Sequence, residues 1–229
     1  MTSLASQLDA FLDGLIARMD PATLALWQAC EAERVAMAAK TARIGQGDIA
    51  PDFTLPDQNG VQVSLSGQLA KGPVVLGFYR GGWCPFCTLT LRAVDRISGE
   101  LARHGATLLM ISPQTQCESA ATARRNFLSF SVLSDAGNAV ARRYGLVWKA
   151  QPKTRALLER LGHDLSRING TAEWDLPMPA GYVIAPDGRV VLAHADPLVY
   201  RRMEPAAALA ALREDALHPL REGALHSSG

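Results

Sequence analysis

Two cysteines separated by two residues, Cys84 and Cys87, stand where the sequence predicts that a helix begins. They follow an apolar run ending in Phe78-Tyr79, and Pro85 between them suits the first position of a helix. Cysteines at this spacing can close a disulfide across one turn, and the positive end of the helix favours thiolate over thiol. Because a thiolate attacks disulfides and peroxides far better than a thiol does, the motif predicts thiol redox chemistry.

For Arg80 near the motif and for the two remaining cysteines, a functional interpretation competes with a purely structural one. Arg80 precedes Cys84 by four residues and is either a cation that stabilises a thiolate or a bound peroxide oxygen, or a solvated loop arginine. Cys117 is either a distant resolving cysteine or a free thiol, and Cys30 lies on the apolar stripe of a predicted helix. We expect no metal, because no further pair of ligands has the spacing of a zinc site, and no cofactor.

The composition shows no bias toward a charged partner. The 229 residues include 23 Lys+Arg and 22 Asp+Glu, which argues against binding to nucleic acid or acidic lipid. No apolar run approaches the roughly eighteen residues of a membrane span, and residues 1–20 do not read as a signal peptide. With a Cys-x-x-Cys and few other cysteines, these features predict a cytoplasmic protein that does not associate with membranes.

The elements that must position the dithiol alternate between strand and helix patterns. This alternation predicts parallel strands joined by crossover helices and therefore an α/β fold. The predicted elements are strand 73–79, helix 85–103, strand 106–111, helix 119–128, strand 132–133, helix 138–144, strand 146–147, the hairpin 182–193 and helix 205–215.

Two further helices are predicted ahead of this domain, over residues 3–19 and 22–42. We interpret 1–44 as an N-terminal helical hairpin whose apolar stripe either forms a homodimer or packs against its own sheet. The main domain then covers 45–216. The segment 217–229 has too little apolar content to hold itself in place and is predicted to fray.

A stretch between residues 150 and 176 goes beyond what a minimal α/β unit requires. Its helical portion is predicted over 153–161. Insertions of this length are either functional lids or plain surface elaborations.

Three features in chain order resemble the peroxiredoxins, the alkyl hydroperoxide reductase and thiol-specific antioxidant family of the thioredoxin-fold superfamily. They are the Ala-Pro-Asp-Phe-Thr-Leu segment at 50–55, a strand followed by a cysteine at a helix start, and Val132 to Asp135 followed by 141–146. The resemblance covers about residues 45 to 215. It implies a thioredoxin-like fold with a central mixed sheet flanked by helices, leaving the N-terminal hairpin outside it.

Alignment with that family leaves open which sulfur attacks first. Aligned on Phe78-Tyr79, the family's Pro, Thr and peroxidatic Cys fall on Arg80, Cys84 and Cys87. The alignment therefore favours Cys87 as the attacking sulfur, with Cys84 as its partner. The usual behaviour of a Cys-x-x-Cys at a helix start gives the reverse order, and both orders end in the same disulfide.

Other positions resemble thioredoxins more than peroxiredoxins. The arginine that peroxiredoxins place before the late strand is replaced by Pro179, which resembles the cis-proline that thioredoxins hold opposite their dithiol. Arg201 and Arg202 are candidates to replace the missing arginine. The resemblance implies a peroxiredoxin scaffold with a thioredoxin-style dithiol, in which Arg80, Trp83 and Pro179 bind substrate or stabilise the thiolate.

We expect a thiol-dependent redox enzyme that reduces hydroperoxides through a dithiol–disulfide cycle of Cys84 and Cys87. This cycle would require a thioredoxin-like reductant. One alternative is a thiol–disulfide oxidoreductase of thioredoxin or glutaredoxin type acting on protein disulfides. The other is an interaction protein that uses the N-terminal hairpin as its working surface and the dithiol as a redox switch.

Overall fold

Strands and helices alternate along most of residues 2–213, the part of the chain that the computed structural model describes. The helices are α1 (Leu4–Ile16), α2 (Pro21–Ala38), α3 (Leu65–Leu69), α4 (Pro85–Asp95), α5 (Ser98–Arg103), α6 (Gln116–Asn126), α7 (Ala139–Arg143), α8 (Pro152–Arg160), α9 (Leu165–Asn169) and α10 (Pro205–Arg213). The strands are β1 (Thr54–Pro56), β2 (Gln62–Ser64), β3 (Val74–Phe78), β4 (Thr107–Ser112), β5 (Ser131–Ser134), β6 (Val147–Lys149), β7 (Asp175–Pro177), β8 (Ala180–Ile184) and β9 (Val190–Ala195).

A five-stranded sheet with the order β5-β4-β3-β8-β9 carries the site at its centre. Strands β3, β4 and β5 are parallel, as predicted, whereas β8 and β9 run antiparallel and form the predicted late hairpin. Every residue of β3 is buried, because Val75 packs into one core while Val74, Leu76 and Phe78 pack into the core on the opposite face. The α/β class and the central mixed sheet flanked by helices are confirmed.

Two predicted helices have different boundaries in the structure. The helix expected over 85–103 is divided into α4 and α5, since Ile97 between them has φ −105° and ψ 1°, outside helical geometry. The helix expected from residue 119 begins at Gln116, because the Thr115 side chain accepts a hydrogen bond from the Glu118 amide and caps the earlier turn. The predicted tail 217–229 lies outside the described residues.

Two N-terminal helices are present as predicted, but their main packing partners lie in the rest of the molecule. Helix α1 packs on α4, and its Leu4 and Leu8 belong to the same core as Cys84. The first amides of α1, those of Leu4 and Ala5, donate to the Glu204 carboxylate at 3.1 and 2.6 Å. The apolar stripe of α1 is therefore covered within the chain, and a domain boundary near Gly45 stays a prediction.

The stretch between residues 150 and 176 carries α8 and α9 and leads into β7, which pairs with β6 in a separate antiparallel ribbon. Helix α8 packs on α2. A small core holds this region together, and Trp83 from the dithiol loop packs against it. The insertion therefore joins the N-terminal helices to the loop that carries Cys84.

Among residues 2–213, no helix combines the length and the apolar content needed to cross a bilayer.

Replacing Leu8 by alanine tests whether α1 is part of the main fold. Leu8 is fully buried in the core that also contains the dithiol, so Leu8→Ala should lower the free energy of unfolding by about 2–5 kcal/mol. Asp13→Ala, an exposed change on the same helix, should alter it by less than about 0.5 kcal/mol. Chemical denaturation followed by circular dichroism measures both, and an unchanged main transition in Leu8→Ala would show that α1 is a separate unit.

Candidate active site

Cys84 and Cys87 lie at the start of α4, directly after the loop that leaves β3. Cys84 is the N-cap residue, with φ −87° and ψ 116°, and Pro85 occupies the first helical position as predicted. The Cys84 amide donates to the carbonyl of Gly81 at 3.1 Å, and its own carbonyl accepts from the Thr88 amide at 3.0 Å. The first sulfur is thereby fixed at the positive end of the helix, where a negative charge is favoured.

The loop before the dithiol is held by a side chain from the segment just after the neighbouring parallel strand, β4. Gln114, which is 1% exposed, accepts hydrogen bonds from the Gly82 amide at 2.8 Å and from Thr122 Oγ1 at 3.3 Å. Gly81 has φ +144°, and a Cβ atom there would lie 2.4 Å from Trp83 Nε1. Sequence reasoning missed Gln114, although a polar residue just after the neighbouring parallel strand was a usable signal.

A different arginine lies beside each sulfur. Arg80 Nη1 lies 4.0 Å from Cys84 Sγ, and Arg202 Nη2 lies 3.8 Å from Cys87 Sγ. Arg80 is 6% exposed, which removes the solvated-loop alternative for this residue. Of the two arginines considered after β9, Arg202 reaches the dithiol, whereas Arg201 is exposed.

The pKa values of Cys84 and Cys87 are shifted in opposite directions. A hydrogen bond from the Cys87 side chain lowers the pKa of Cys84 well below its usual range, with the charges of Arg80 and Arg202 assisting against the effect of burial. Burial raises the pKa of Cys87, and the hydrogen bond and negative charge at Cys84 raise it further. Loss of a proton from the pair is therefore favoured at Cys84 over Cys87.

Cys84 borders a cavity of about 350 Å³ that Cys87 does not line. Beyond the dithiol loop, the cavity walls come from α1, α2, α8 and the residues just after α8. The segments that lie outside a minimal α/β unit thus surround the sulfur with the lower pKa. The insertion therefore lines a cavity at the dithiol, and its role as a lid stays a prediction.

At the edge of this cavity, the ring of Trp83 lies close to the guanidinium of Arg80 and to the imidazole of His163. Its ring centroid is 4.6 Å from the guanidinium carbon of Arg80 and 4.8 Å from the ring of His163. Burial lowers the pKa of His163, so the imidazole is neutral at pH 7. His163 was not singled out from the sequence, because only the tertiary fold brings α8 over the dithiol.

The expectation of a cis-proline is wrong. Within residues 2–213 every peptide bond is trans, including the one between Met178 and Pro179. Pro179 borders a second, small cavity of about 30 Å³, beside Tyr79 and Arg202, and does not line the cavity at Cys84.

The surroundings of the other two cysteines differ from those of the dithiol. Cys117 is exposed in the first turn of α6, and Cys30 is fully buried on α2, as its position on an apolar stripe predicted.

Comparison with known proteins identifies the family. The model of the AhpC/TSA family matches residues 46–193, which is more than half of the 229-residue chain. This chain belongs to the AhpC/TSA family. Members similar to it include the chloroplastic peroxiredoxin Q of Triticum aestivum, 36% identical over 104 residues, and peroxiredoxin Bcp of Escherichia coli, 35% identical over 102 residues.

These alignments cover part of each protein. They include 45% and 44% of this AhpC/TSA-family chain, and 48% and 64% of the two relatives, less than two thirds in both cases. The crystal structure of peroxidoxin BcpB from Mycobacterium tuberculosis is similar with a TM-score of 0.58 and 27% identity, covering 74% of this chain and 97% of that one. The predicted thioredoxin-like fold of the peroxiredoxin type is confirmed.

Thiolate absorbance near 240 nm, followed against pH, tests the assignment of charge within the dithiol. In the reduced protein one thiolate should persist to a pH below the ordinary range of a cysteine, since protonation occurs only below the lowered pKa of Cys84. Arg80→Met removes a buried cation 4.0 Å from that sulfur and should raise the midpoint. Arg92→Met, an exposed change on α4, should leave it in place, and equal midpoints in all three proteins would contradict a role for Arg80.

Proposed function

We propose that this chain reduces hydroperoxides through a dithiol–disulfide cycle of Cys84 and Cys87. The observation that carries the proposal is a buried cysteine with a lowered pKa that borders a cavity, with a second cysteine one turn along the helix whose pKa is raised. The peroxiredoxin names of the relatives and the AhpC/TSA membership support the same chemistry.

In this cycle the Cys84 thiolate attacks one oxygen of the peroxide, ROOH. The sulfur forms a bond with the terminal hydroxyl oxygen, the oxygen–oxygen bond breaks, and the departing RO⁻ takes a proton from solvent to leave as ROH, so that Cys84 becomes a sulfenic acid. Cys87 then displaces that oxygen as water and forms the disulfide. The two thiols lose two electrons and the peroxide gains them, giving ROH and one water.

We assign the first attack to Cys84, although the family alignment favours Cys87. Two observations support this order, namely the lower pKa of Cys84 and its place at the cavity wall. In this proposal Arg80 stabilises the attacking thiolate and Trp83 forms the wall beside it. Arg202, 3.8 Å from the other sulfur, stabilises Cys87 when it loses its proton to resolve the sulfenic acid.

The cycle needs an external source of two electrons to reopen the disulfide. We propose a thioredoxin-like reductant, and a reducing compartment such as the cytoplasm, because structural disulfides and not dithiols persist under oxidising conditions. The homodimer predicted from the sequence stays a prediction.

A second candidate is exchange with protein disulfides, which the low pKa of the first cysteine in a Cys-x-x-Cys favours. Cys84 is only 2% exposed, however, and the cavity beside it is bounded by α1, α2 and α8. This arrangement gives a small molecule access to the sulfur more readily than an extended polypeptide, so we rank hydroperoxide reduction first.

Peroxide consumption by cysteine variants tests the proposal and the order of attack. With a thioredoxin-type reductant, the wild type should consume many equivalents of tert-butyl hydroperoxide. Cys84→Ser should fall to the background rate, because the remaining Cys87 has a raised pKa. Cys87→Ser should consume about one equivalent and stop at the sulfenic acid, and Cys117→Ser, at an exposed thiol, should match the wild type.

The reverse order of attack and the two alternative functions predict different results in these assays. One equivalent consumed by Cys84→Ser and none by Cys87→Ser would assign the first attack to Cys87. A wild type that reduces insulin disulfides without consuming peroxide would support the disulfide exchange enzyme. Inactivity in both assays would favour the redox-switched interaction protein.

A further inference from the structure

Both backbone polar groups of Gly82, in the loop between Arg80 and Cys84, are held by side chains. The Gly82 amide donates to Gln114 Oε1 at 2.8 Å, and the Gly82 carbonyl accepts from Thr88 Oγ1 at 3.4 Å. Gln114 comes from the segment after β4, whereas Thr88 lies on α4. The loop is therefore anchored to two different parts of the fold.

The loop depends on these anchors because two of its residues are glycines. Glycine loses more conformational freedom on folding than any other residue. A side chain at Gly82 is excluded, since a Cβ atom there would lie 2.3 Å from Thr122 Oγ1 on α6. The close approach of α6 thus requires glycine, and the two hydrogen bonds supply the order that a packed side chain would otherwise give.

Gln114 is itself held from more than one direction. Its side chain is 1% exposed, and its Oε1 also accepts a hydrogen bond from Thr122 Oγ1 at 3.3 Å. The next amide along the chain, that of Thr115, donates to the carbonyl of Ile168 on α9 at 3.0 Å. An acceptor fixed in this way can hold the loop amide in one place.

The anchored backbone leads directly to the cation beside the sulfur. Trp83 follows Gly82 in the chain, and the guanidinium carbon of Arg80 lies 4.6 Å from the centroid of the indole ring. The same guanidinium places its Nη1 atom 4.0 Å from Cys84 Sγ. A shift of Gly82 would therefore move the ring against which the guanidinium packs. Because the interaction of two charges depends on their distance, that shift would weaken the effect of the cation on the sulfur.

We propose that Gln114 is a positioning residue for the sulfur of Cys84. With Thr88, it holds the backbone of Gly82 and thereby keeps the guanidinium of Arg80 beside that sulfur. Gln114 does not line the cavity at Cys84, so it acts through the loop. Its effect on the thiolate stands without the peroxidase cycle, whereas its effect on the rate of peroxide reduction rests on the proposed function.

Thiolate absorbance near 240 nm, followed against pH in the reduced protein, tests this role. Gln114→Met removes the acceptor at nearly constant volume. The freed loop should raise the midpoint by about half a pH unit or more, which is part of the shift that an opposite charge at this distance produces. Ser119→Ala is the matched control, because it removes a fully buried hydrogen bond of 2.9 Å, to Ser134, that does not involve the loop. A purely structural role for Gln114 would leave both midpoints at the wild-type value.

Combination with Arg80→Met tests the route by which Gln114 acts. Gln114→Met should raise the midpoint in the otherwise wild-type protein and leave it unchanged in the Arg80→Met background, because the cation is then already gone. An unshifted midpoint in Gln114→Met would overturn the proposal. An equal shift in both backgrounds would also overturn it, since the effect would then be independent of Arg80.

Thr88→Val keeps the proposal testable even if Gln114→Met does not fold. The two side chains have nearly the same shape, and the change removes the hydrogen bond to the Gly82 carbonyl. The midpoint should rise in the same direction by a smaller amount. An unchanged midpoint in Thr88→Val would contradict the shared anchoring of Gly82 and with it the proposal.

The rate of reaction with tert-butyl hydroperoxide separates this proposal from the peroxidase cycle. Gln114→Met should lower kcat/KM by about tenfold, as expected when a reacting group loses its fixed geometry, and Ser119→Ala should match the wild type. An active protein whose midpoint and rate are the same in Gln114→Met refutes the positioning role alone. A midpoint shift in Gln114→Met, with a wild type that consumes no hydroperoxide, refutes the proposed function alone.

Discussion

The contact between the buried sulfur atoms of Cys84 and Cys87 at the start of α4 is the interaction around which the rest of the site is arranged. A hydrogen bond from the Cys87 thiol and the charges of two nearby arginines lower the pKa of Cys84 against the effect of burial. Charging both sulfurs would place like charges together in a medium of low polarity. The fold therefore gives the two cysteines different surroundings, and in the proposed cycle the one with the lower pKa is the nucleophile.

The remaining elements contact the dithiol from opposite sides. The loop that carries Cys84 follows the central strand β3, Gln114 in the segment just after β4 holds this loop, and the positive end of α4 lies at Cys84. The N-terminal helices and α8 enclose the space on the Cys84 side, while Arg202 approaches Cys87 from the segment after β9. Segments outside the common sheet thereby line the cavity beside Cys84, whereas the position of the dithiol itself comes from β3 and α4.

Local patterns in the sequence were sufficient to predict the strand and the helix that position the dithiol. A wholly apolar run gave β3, and Pro85 with its flanking cysteines gave the start of α4, since both depend on neighbouring residues only. His163 escaped because its contact with Trp83 spans a long separation in the chain, which periodicity does not encode, and Gln114 escaped although its place just after a parallel strand was a usable signal. The cis-proline expectation failed for a related reason: Pro179 has the right place in the chain, but its peptide bond is trans and it borders a different cavity.

The central claim is that the sulfur of Cys84 meets the oxidant first. It is tested most directly by mixing the reduced wild-type protein with less than one equivalent of hydroperoxide, trapping sulfenic acid with dimedone within milliseconds, and mapping the adduct by mass spectrometry. The account predicts that the adduct forms on Cys84, in competition with the Cys84–Cys87 disulfide. An adduct found on Cys87 with none on Cys84 would contradict it.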